Sequence, residues 1–153
     1  MNQLFLRVIN KYRNFDPRSL ASICFVFELA NTFIFSIFSK PIKSHGFGSI
    51  TEAMFVSVLF APIVETYIFQ QLFIRNILKI FKNQFLLSLF LSALFFGLMH
   101  WYSIEYIFKT FISGLIFGFL YLLLYNDIYK SFWYVYGIHA LHNLIIIIIR
   151  IIF

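Results

Sequence analysis

Four side chains capable of acid–base chemistry or hydrogen-bond donation lie in strongly apolar stretches of the sequence. Glu65 stands in APIVETYIFQQ and His100 closes FFGLMH, while His139 and Asn143 belong to GIHALHNL. Ionisable groups are costly near the centre of a bilayer and are found mainly where they face a protein interior or a wet cavity. These residues therefore indicate a polar site inside the protein.

A carboxylate, two imidazoles and an amide can serve as base and hydrogen-bond donors. His139 shares a helix face with both His142 and Asn143, because residues three and four apart are neighbours on a helix. Such a set can activate a water molecule and stabilise a developing oxyanion. Glutamate and histidine also bind divalent metals, so a metal site, for example for zinc, is the alternative at this point. The single cysteine, Cys24, excludes a cysteine-based metal site.

The composition indicates a membrane protein. The 153 residues are 61% hydrophobic and 12% charged, and a soluble domain of this size cannot bury so much apolar surface. The net charge of +6 would favour nucleic-acid binding in a soluble protein. Here the basic residues flank apolar stretches, where anionic head groups attract them. Lipid, and no nucleic acid, is therefore the predicted partner.

The predicted fold is an all-α membrane protein, a bundle of about five transmembrane helices. A helix needs about 20 apolar residues to cross the hydrocarbon layer. We expect residues 1–18 to form a basic, cytoplasmic amphipathic lead-in and residues 19–153 to form the bundle, with its functional core at about 50–150. The five spans are residues 17–38, residues 53–74, LLSLFLSALFFGLMHW, FKTFISGLIFGFLYLLLY and the segment from about Phe132 to the end.

Local signals place the helix starts and breaks. Asp16-Pro17 and the run from Ser49 to Glu52 are typical of helix N-termini, and they flank a loop at residues 40–48. Pro62 lacks the N–H that would bond the carbonyl of Val58, which loosens the second span just before Glu65.

Two further patterns concern the middle of the chain. The stretch NILKIFKNQ mixes lysines with apolar residues, so we expect the second span to end at Arg75 and this stretch to lie along the membrane interface. Gly114 and Gly118 have the GxxxG spacing that allows helix backbones to approach closely.

The depth of each side chain limits which of them can meet. At about 1.5 Å per residue, Glu65 lies roughly 15 Å from the end of its span at Arg75. His100 lies about 24 Å into the third span if that span starts at Gln84, and about 16 Å if it starts at Leu89. The later start allows the two side chains to converge.

The distribution of lysine and arginine predicts the orientation, because these residues concentrate in cytoplasmic segments. Lys40 and Lys43 lie on the opposite side. Most of the basic residues at the span ends lie on the other side, and this side is therefore predicted to be the cytoplasm, together with the N-terminus. These residues are Arg7, Lys11, Arg13, Arg18, Arg75, Lys79, Lys82 and Lys130.

The order of these motifs resembles a known family. APIVETYIFQ, then Phe96 to His100 as FxxxH, then a glycine-rich span, then His139 to Asn143 as HxxxN, is similar to the CAAX-protease and bacteriocin-processing (CPBP, or Abi) intramembrane proteases. The resemblance covers roughly residues 61–143. It implies a peptide or protein substrate at or in the bilayer of the cell membrane. Some members process CAAX prenyl-proteins, and others process bacteriocin leaders or signalling peptides.

The resemblance also implies roles for individual residues. Glu65 and His100 would activate the hydrolytic water, and His139 with Asn143 would stabilise the oxyanion, without a metal cofactor. The first motif of the family is usually EExxxR, whereas this chain has Thr66 and Gln70 at the second glutamate and the arginine. The supporting residues around the water-activating glutamate therefore differ.

Two other classes of function remain open. The replacements at Thr66 and Gln70 favour a catalytically silent membrane scaffold or bacteriocin-immunity protein that keeps the fold and binds a partner. A proton-coupled transporter would use the same buried acid and imidazoles. Transporter folds tend to contain inverted repeats, and no repeat is visible in this sequence.

The remaining polar residues of the spans have structural interpretations. Glu28 and Asn31 are expected to make interhelical contacts, and Glu28 is alternatively a residue of the cavity. His142 matches no motif position and is equally well explained by a bond to a neighbouring helix. Arg150, in the last apolar run, is expected to extend to the outer interface.

Overall fold

The computed structural model describes residues 2–12, 14–38, 49–82 and 84–152, and every regular element in these ranges is helical. The predicted loop at 40–48, with Lys40 and Lys43, lies outside them. We number the helices α1 (Asn2–Tyr12), α2 (Pro17–Phe38), α3 (Ile50–Ile80), α4 (Phe85–Leu98), α5 (Ile104–Leu123) and α6 (Ile128–Ile152).

The helices have the lengths of a membrane bundle. In the part of the chain that the structure describes, α2, α3, α5 and α6 are long and apolar enough to cross a membrane, and α4 is a shorter apolar helix of 14 residues. The predicted all-α membrane bundle is therefore confirmed, with four long helices and one short one in place of five similar spans.

Two of the predicted helix starts are confirmed. Helix α2 begins at Pro17, and the carboxylate of Asp16 accepts a hydrogen bond from the backbone N–H of Ser19 at 3.1 Å. At the start of α3, the hydroxyl of Ser49 accepts from the N–H of Glu52 at 3.1 Å. Both side chains satisfy N–H groups that lack a partner within the helix.

Helices α5 and α6 begin about one turn earlier than predicted because each has a capping residue that hydropathy does not reveal. Ser103 accepts from the N–H of Tyr106 at 3.2 Å. Asp127 accepts from the N–H of Lys130 at 3.0 Å. A cap fixes the first turn regardless of how apolar that turn is.

Helix α3 contains two wide, π-helical segments, Phe55–Phe60 and Thr66–Phe73, on either side of a short α-helical segment, Ala61–Glu65. The N–H of Ala61 bonds to the carbonyl of Val56, five residues earlier. The expected loosening of the helix near Pro62 is thus confirmed. Widened turns of this kind often occur at functional sites.

The prediction that α3 ends at Arg75 is wrong, since the helix continues to Ile80. Residues 76–80 are therefore part of α3 and do not form a separate interfacial segment. The physical reason is that Arg75 is satisfied within the bundle. Its Nε donates to the hydroxyl of Tyr121 at 2.6 Å and its Nη2 donates to the carbonyl of Tyr125 at 3.1 Å.

The glycines of α5 permit the close approach that their spacing predicts. A Cβ added at Gly114 would lie 2.9 Å from the Cα of Ala93 on α4, and one at Gly118 would lie 2.7 Å from Cδ1 of Leu89. Helices α4 and α5 thus form the tightest layer of the bundle, and α2 and α6 pack against α5.

Within the predicted lead-in, residues 2–12 form an amphipathic helix, α1. In α1, Ile9 is buried, whereas Arg7 and Lys11 are exposed. The helix packs against α4 and α5. Its expected cytoplasmic position stays a prediction.

Candidate functional site

The carboxylate of Glu65 lies between two imidazoles from other parts of the bundle. Its Oε2 is 3.6 Å from Nε2 of His139 on α6 and 3.8 Å from Nε2 of His100 in the turn after α4. Both distances exceed the usual length of a direct hydrogen bond. The three groups therefore keep hydrogen-bonding capacity for a water molecule or a substrate.

Glu65 and His100 meet as their depths were expected to allow, but the ends of their helices differ from the predicted ones. Helix α4 begins at Phe85, four residues before the start that convergence required, and yet Glu65 and His100 meet. Because α3 runs on to Ile80, Glu65 lies about 22 Å from its end, close to the depth of His100 counted from Phe85. The two errors compensate.

His100 is oriented by the end of α4. Its Nδ1 lies 2.7 Å from the carbonyl oxygen of Phe96. A carbonyl oxygen only accepts hydrogen bonds, so Nδ1 carries the proton and donates. In the neutral ring Nε2 then has a lone pair, and this lone pair faces Glu65. A carboxylate oxygen and an imidazole lone pair are both acceptors, and a water molecule can donate to both.

Two phenylalanines hold the ring of His139. The ring stacks on Phe117 with centroids 4.7 Å apart and an angle of 26° between the planes. Phe96 makes a T-shaped contact with it, with centroids 6.0 Å apart. His139 is buried, and its Nδ1 has no hydrogen-bond partner among the described residues. The imidazole is therefore fixed by packing, with Nε2 towards Glu65.

Asn143 lies one turn further along α6. Its Nδ2 donates to the backbone carbonyl of Ser57, in the first π-helical segment of α3, at 2.8 Å. The bond joins the HxxxN motif to the widened part of α3.

One cavity of about 290 Å³ contains these groups in its wall. The structure thus brings together the four residues that the sequence singled out, although their chemical roles stay predictions. The polar and charged residues in the wall are Glu65, His100, His139 and Asn143 from the motifs and Glu28, Ser57, Tyr102, Tyr106, Lys109, Thr110, Ser113, His142 and Arg150 from elsewhere.

Thr66 and Gln70, which replace the second glutamate and the arginine of the family motif, follow Glu65 on α3 and lie in the protein interior. Thr66 and Gln70 are each 0% exposed. The hydroxyl of Thr66 and both amide atoms of Gln70 have no hydrogen-bond partner among the residues that the structure describes. A glutamate and an arginine at these positions could bond each other, so the replacement leaves a neutral and unsatisfied interior beside the carboxylate.

A second polar cluster, which we call the α2 cluster, was only partly expected. It comprises Glu28 and Thr32 on α2, Lys109 and Ser113 on α5, and His142 on α6. Oε1 of Glu28 accepts from Ser113 at 2.7 Å and lies 3.8 Å from Nζ of Lys109. The expectation that Glu28 makes interhelical contacts is confirmed, and it also lines the cavity.

Lys109 is the charged member of this cluster that the sequence analysis did not identify. Its position within the predicted fourth span was the available signal, because a buried ammonium group needs an acidic partner. Glu28 is the buried acid that meets this need. Asn31, also expected to make interhelical contacts, donates to the backbone carbonyl of Lys109 and to Ser113, both at 3.1 Å.

His142 and Arg150 also lie in the wall of the cavity, outside the family motifs. Nε2 of His142 lies 2.8 Å from the hydroxyl of Thr32 and 3.6 Å from Oε1 of Glu28, so its expected bond to a neighbouring helix is confirmed. Arg150 is exposed at the cavity.

Metal binding was the alternative chemistry for these side chains. Within the described ranges, no three or more histidine, cysteine, aspartate or glutamate side chains are grouped so that they could hold a metal ion. That the site works without a metal cofactor stays a prediction.

The fold and the site define a polytopic membrane protein. Its cavity wall contains the carboxylate of Glu65 and the imidazoles of His100 and His139. The family model described as type II CAAX prenyl endopeptidase Rce1-like matches residues 48–145, and the chain belongs to this family. The matched region contains all four motif residues, whereas α1 and α2 precede it. The resemblance to intramembrane proteases is thus confirmed.

No curated protein and no solved structure matches the chain.

Proposed function

We propose that this protein is an intramembrane endopeptidase that hydrolyses a peptide bond with a water molecule activated by Glu65 and His100. The observation that carries the proposal is the pair of Nε2 atoms, from His100 and His139, within 3.8 Å of one Glu65 oxygen. Membership of the Rce1-like family supports the reaction class.

Glu65 is the proposed general base. A water molecule between Glu65 and the lone pair of His100 donates one hydrogen to each and presents its oxygen to the peptide carbonyl. As the oxygen attacks the carbonyl carbon, its proton passes to the carboxylate of Glu65. General base catalysis of this kind contributes about 10²- to 10⁴-fold.

His139 and Asn143 are the proposed oxyanion donors. The tetrahedral intermediate carries negative charge on the former carbonyl oxygen, which accepts from Nε2–H of His139 and from the second amide hydrogen of Asn143. Removal of one such donor costs about 10²- to 10³-fold in kcat in well-studied hydrolases.

Collapse of the intermediate completes the reaction. The C–N bond breaks, and the proton held by Glu65 passes to the departing nitrogen. The products are a new amine and a new carboxylic acid whose added oxygen came from water. The second water proton, still on this acid, passes to Nε2 of His100 and from there to solvent, which leaves a carboxylate. Each proton and oxygen is accounted for without a cofactor, so we propose that none is required.

The substrate we propose is a peptide or protein at or in the bilayer. The family name suggests a prenylated C-terminal segment, and the apolar exterior of the bundle would leave a lipid-anchored peptide in contact with the protein. We further propose the cell membrane as the location, with the N-terminus in the cytoplasm, because of the lysine and arginine distribution.

Isotope labelling tests whether the protein cleaves peptide bonds by hydrolysis. Purified protein in lipid vesicles is incubated in H₂¹⁸O with two probes, a prenylated CAAX peptide and an unprenylated membrane-peptide library, and the products are identified by mass spectrometry. We expect one ¹⁸O in each new C-terminal carboxylate. Cleaved products that contain only ¹⁶O would contradict attack by water.

A catalytically silent membrane scaffold or immunity protein is the second candidate. The observation that favours it is the unsatisfied interior at Thr66 and Gln70. The two candidates differ in cells: a scaffold keeps its phenotype in both Glu65→Ala and His100→Ala variants, and an enzyme loses it in both.

A further inference from the structure

We propose that His142 is a positioning residue that fixes the side-chain amide of Asn143, and that its own anchor is helix α2. The inference rests on the proposed function of Asn143 as an oxyanion donor. His142 matches no position of the family motifs quoted above, and α2 precedes the family-matched region of residues 48–145.

The first step is the orientation of Asn143. Its amide nitrogen donates to the carbonyl of Ser57 at 2.8 Å. A carbonyl cannot donate, so the nitrogen and not the oxygen of the amide must face Ser57. The amide oxygen therefore faces Nδ1 of His142, 3.2 Å away.

The second step is the tautomer of His142. An amide oxygen only accepts hydrogen bonds, so Nδ1 of His142 must carry a proton. In the neutral ring Nε2 then has a lone pair. The hydroxyl of Thr32 lies 2.8 Å from Nε2 and is the donor that this lone pair requires.

The third step is the connection to α2. Thr32 donates to His142, His142 donates to Asn143, and Asn143 donates to the backbone of α3. Glu28, one turn before Thr32, lies 3.6 Å from the same Nε2 and is held by Ser113. With the ring of His142 neutral, reversing either of its two bonds would place two acceptors against each other.

The consequence concerns the amide hydrogen that catalysis uses. With its oxygen bonded to His142 and one hydrogen bonded to Ser57, the Asn143 amide cannot flip. The second hydrogen is left for the oxyanion. Fixing a donor before the charge develops is what makes an oxyanion site effective, and a displacement of 1 Å can cost about 10²-fold.

A double-mutant cycle tests this role in the vesicle assay described above. His142→Phe keeps an aromatic ring and removes both nitrogens. We expect it to lower kcat by up to about 100-fold with KM unchanged, and we expect no added loss when it is combined with Asn143→Ala. Two residues in one functional unit are non-additive in this way. Multiplied losses in the double variant would overturn the inference.

A conservative series guards against simple misfolding. Thr32→Val removes the hydroxyl and should lower kcat, whereas Thr32→Ser keeps the hydroxyl and should restore most of it. His142→Asn places an amide nitrogen near the position of Nδ1 and should recover part of the loss. Equal kcat in Thr32→Val and Thr32→Ser, at equal thermal stability, would contradict an anchor on α2.

The tautomer provides a measurement that needs no turnover. Protein labelled with ¹⁵N-histidine should show a neutral His142 ring protonated at Nδ1, assigned by its loss in His142→Phe. Protonation at Nε2 would overturn the inference even in an active enzyme. Conversely, wild type that cleaves no better than Glu65→Ala, with the Nδ1 tautomer present, would refute the proposed function. It would also refute the positioning role of His142 in that reaction, while leaving the hydrogen-bond chain intact.

Discussion

Nε2 of His139 lies 3.6 Å from Oε2 of Glu65, although the two residues belong to helices α6 and α3 at opposite ends of the family-matched region. The ring stacks on Phe117 of α5, and α5 is held tightly against α4, which leads into the turn of His100. The geometry at Glu65 therefore depends on helix packing at a distance from the carboxylate.

Gly114 provides a test of that packing. A Cβ at this position would lie 2.9 Å from backbone Cα of Ala93, so backbone must move to accept it. We expect Gly114→Ala to lower the free energy of unfolding by about 1–3 kcal/mol through overpacking. Thermal unfolding in detergent micelles measures the change.

Gly137 is the matched control for this substitution. It also lies within a helix, and a Cβ there would meet nothing within 4 Å. Gly137→Ala should be neutral or slightly stabilising, because alanine is the better helix former. Equal melting temperatures for the two variants would show that α4 and α5 are not as closely packed as described.

Substitutions at Thr66 and Gln70 are expected to have coupled effects on stability and activity. Thr66 and Gln70 are fully buried, so a single Thr66→Glu or Gln70→Arg change buries a charge without its partner and should destabilise the fold by about 3–5 kcal/mol. The double variant supplies the acid–guanidinium pair that the family motif usually contains. We expect the double variant to be more stable and more active than either single variant.

Unfolding and peptide cleavage of the three variants measure this coupling. A strictly additive result, with the double variant the least stable of the three, would mean that the two side chains do not meet in the interior. The neutral pair at Thr66 and Gln70 would then have to be accommodated in some other way.

Chelators should leave proteolysis unchanged. The proposed reaction uses a carboxylate and imidazoles alone, and the described residues do not group into a metal-binding set. The measurement is cleavage rate before and after dialysis against EDTA. Full loss of activity that zinc restores would replace the glutamate mechanism with a metal-dependent one.

Much of the fold followed from the sequence because hydropathy, proline and capping residues act locally. The apolar runs gave the bundle, and Asp16 and Ser49 gave two helix starts. The end of α3 was misjudged because Arg75 is satisfied by Tyr121 and Tyr125 of another part of the chain. No local pattern contains that information.

The sequence also predicted part of the candidate site. Glu65, His100, His139 and Asn143 were found because they belong to motifs with fixed spacing. The α2 cluster was found only in part, since its members come from α2, α5 and α6 and form no motif that links these three helices. The rule that a buried charge needs a partner marked Glu28 and would have marked Lys109, but only the structure joins them.

The most direct measurement of the central claim is peptide-bond cleavage by purified protein compared with its Glu65→Ala variant in the same vesicles. Glu105→Gln, which alters an exposed carboxylate at the start of α5, is the control for the loss of one acidic charge. We expect wild type and Glu105→Gln to cleave at equal rates and Glu65→Ala to lose at least about 100-fold. Equal cleavage by wild type and Glu65→Ala would contradict the account.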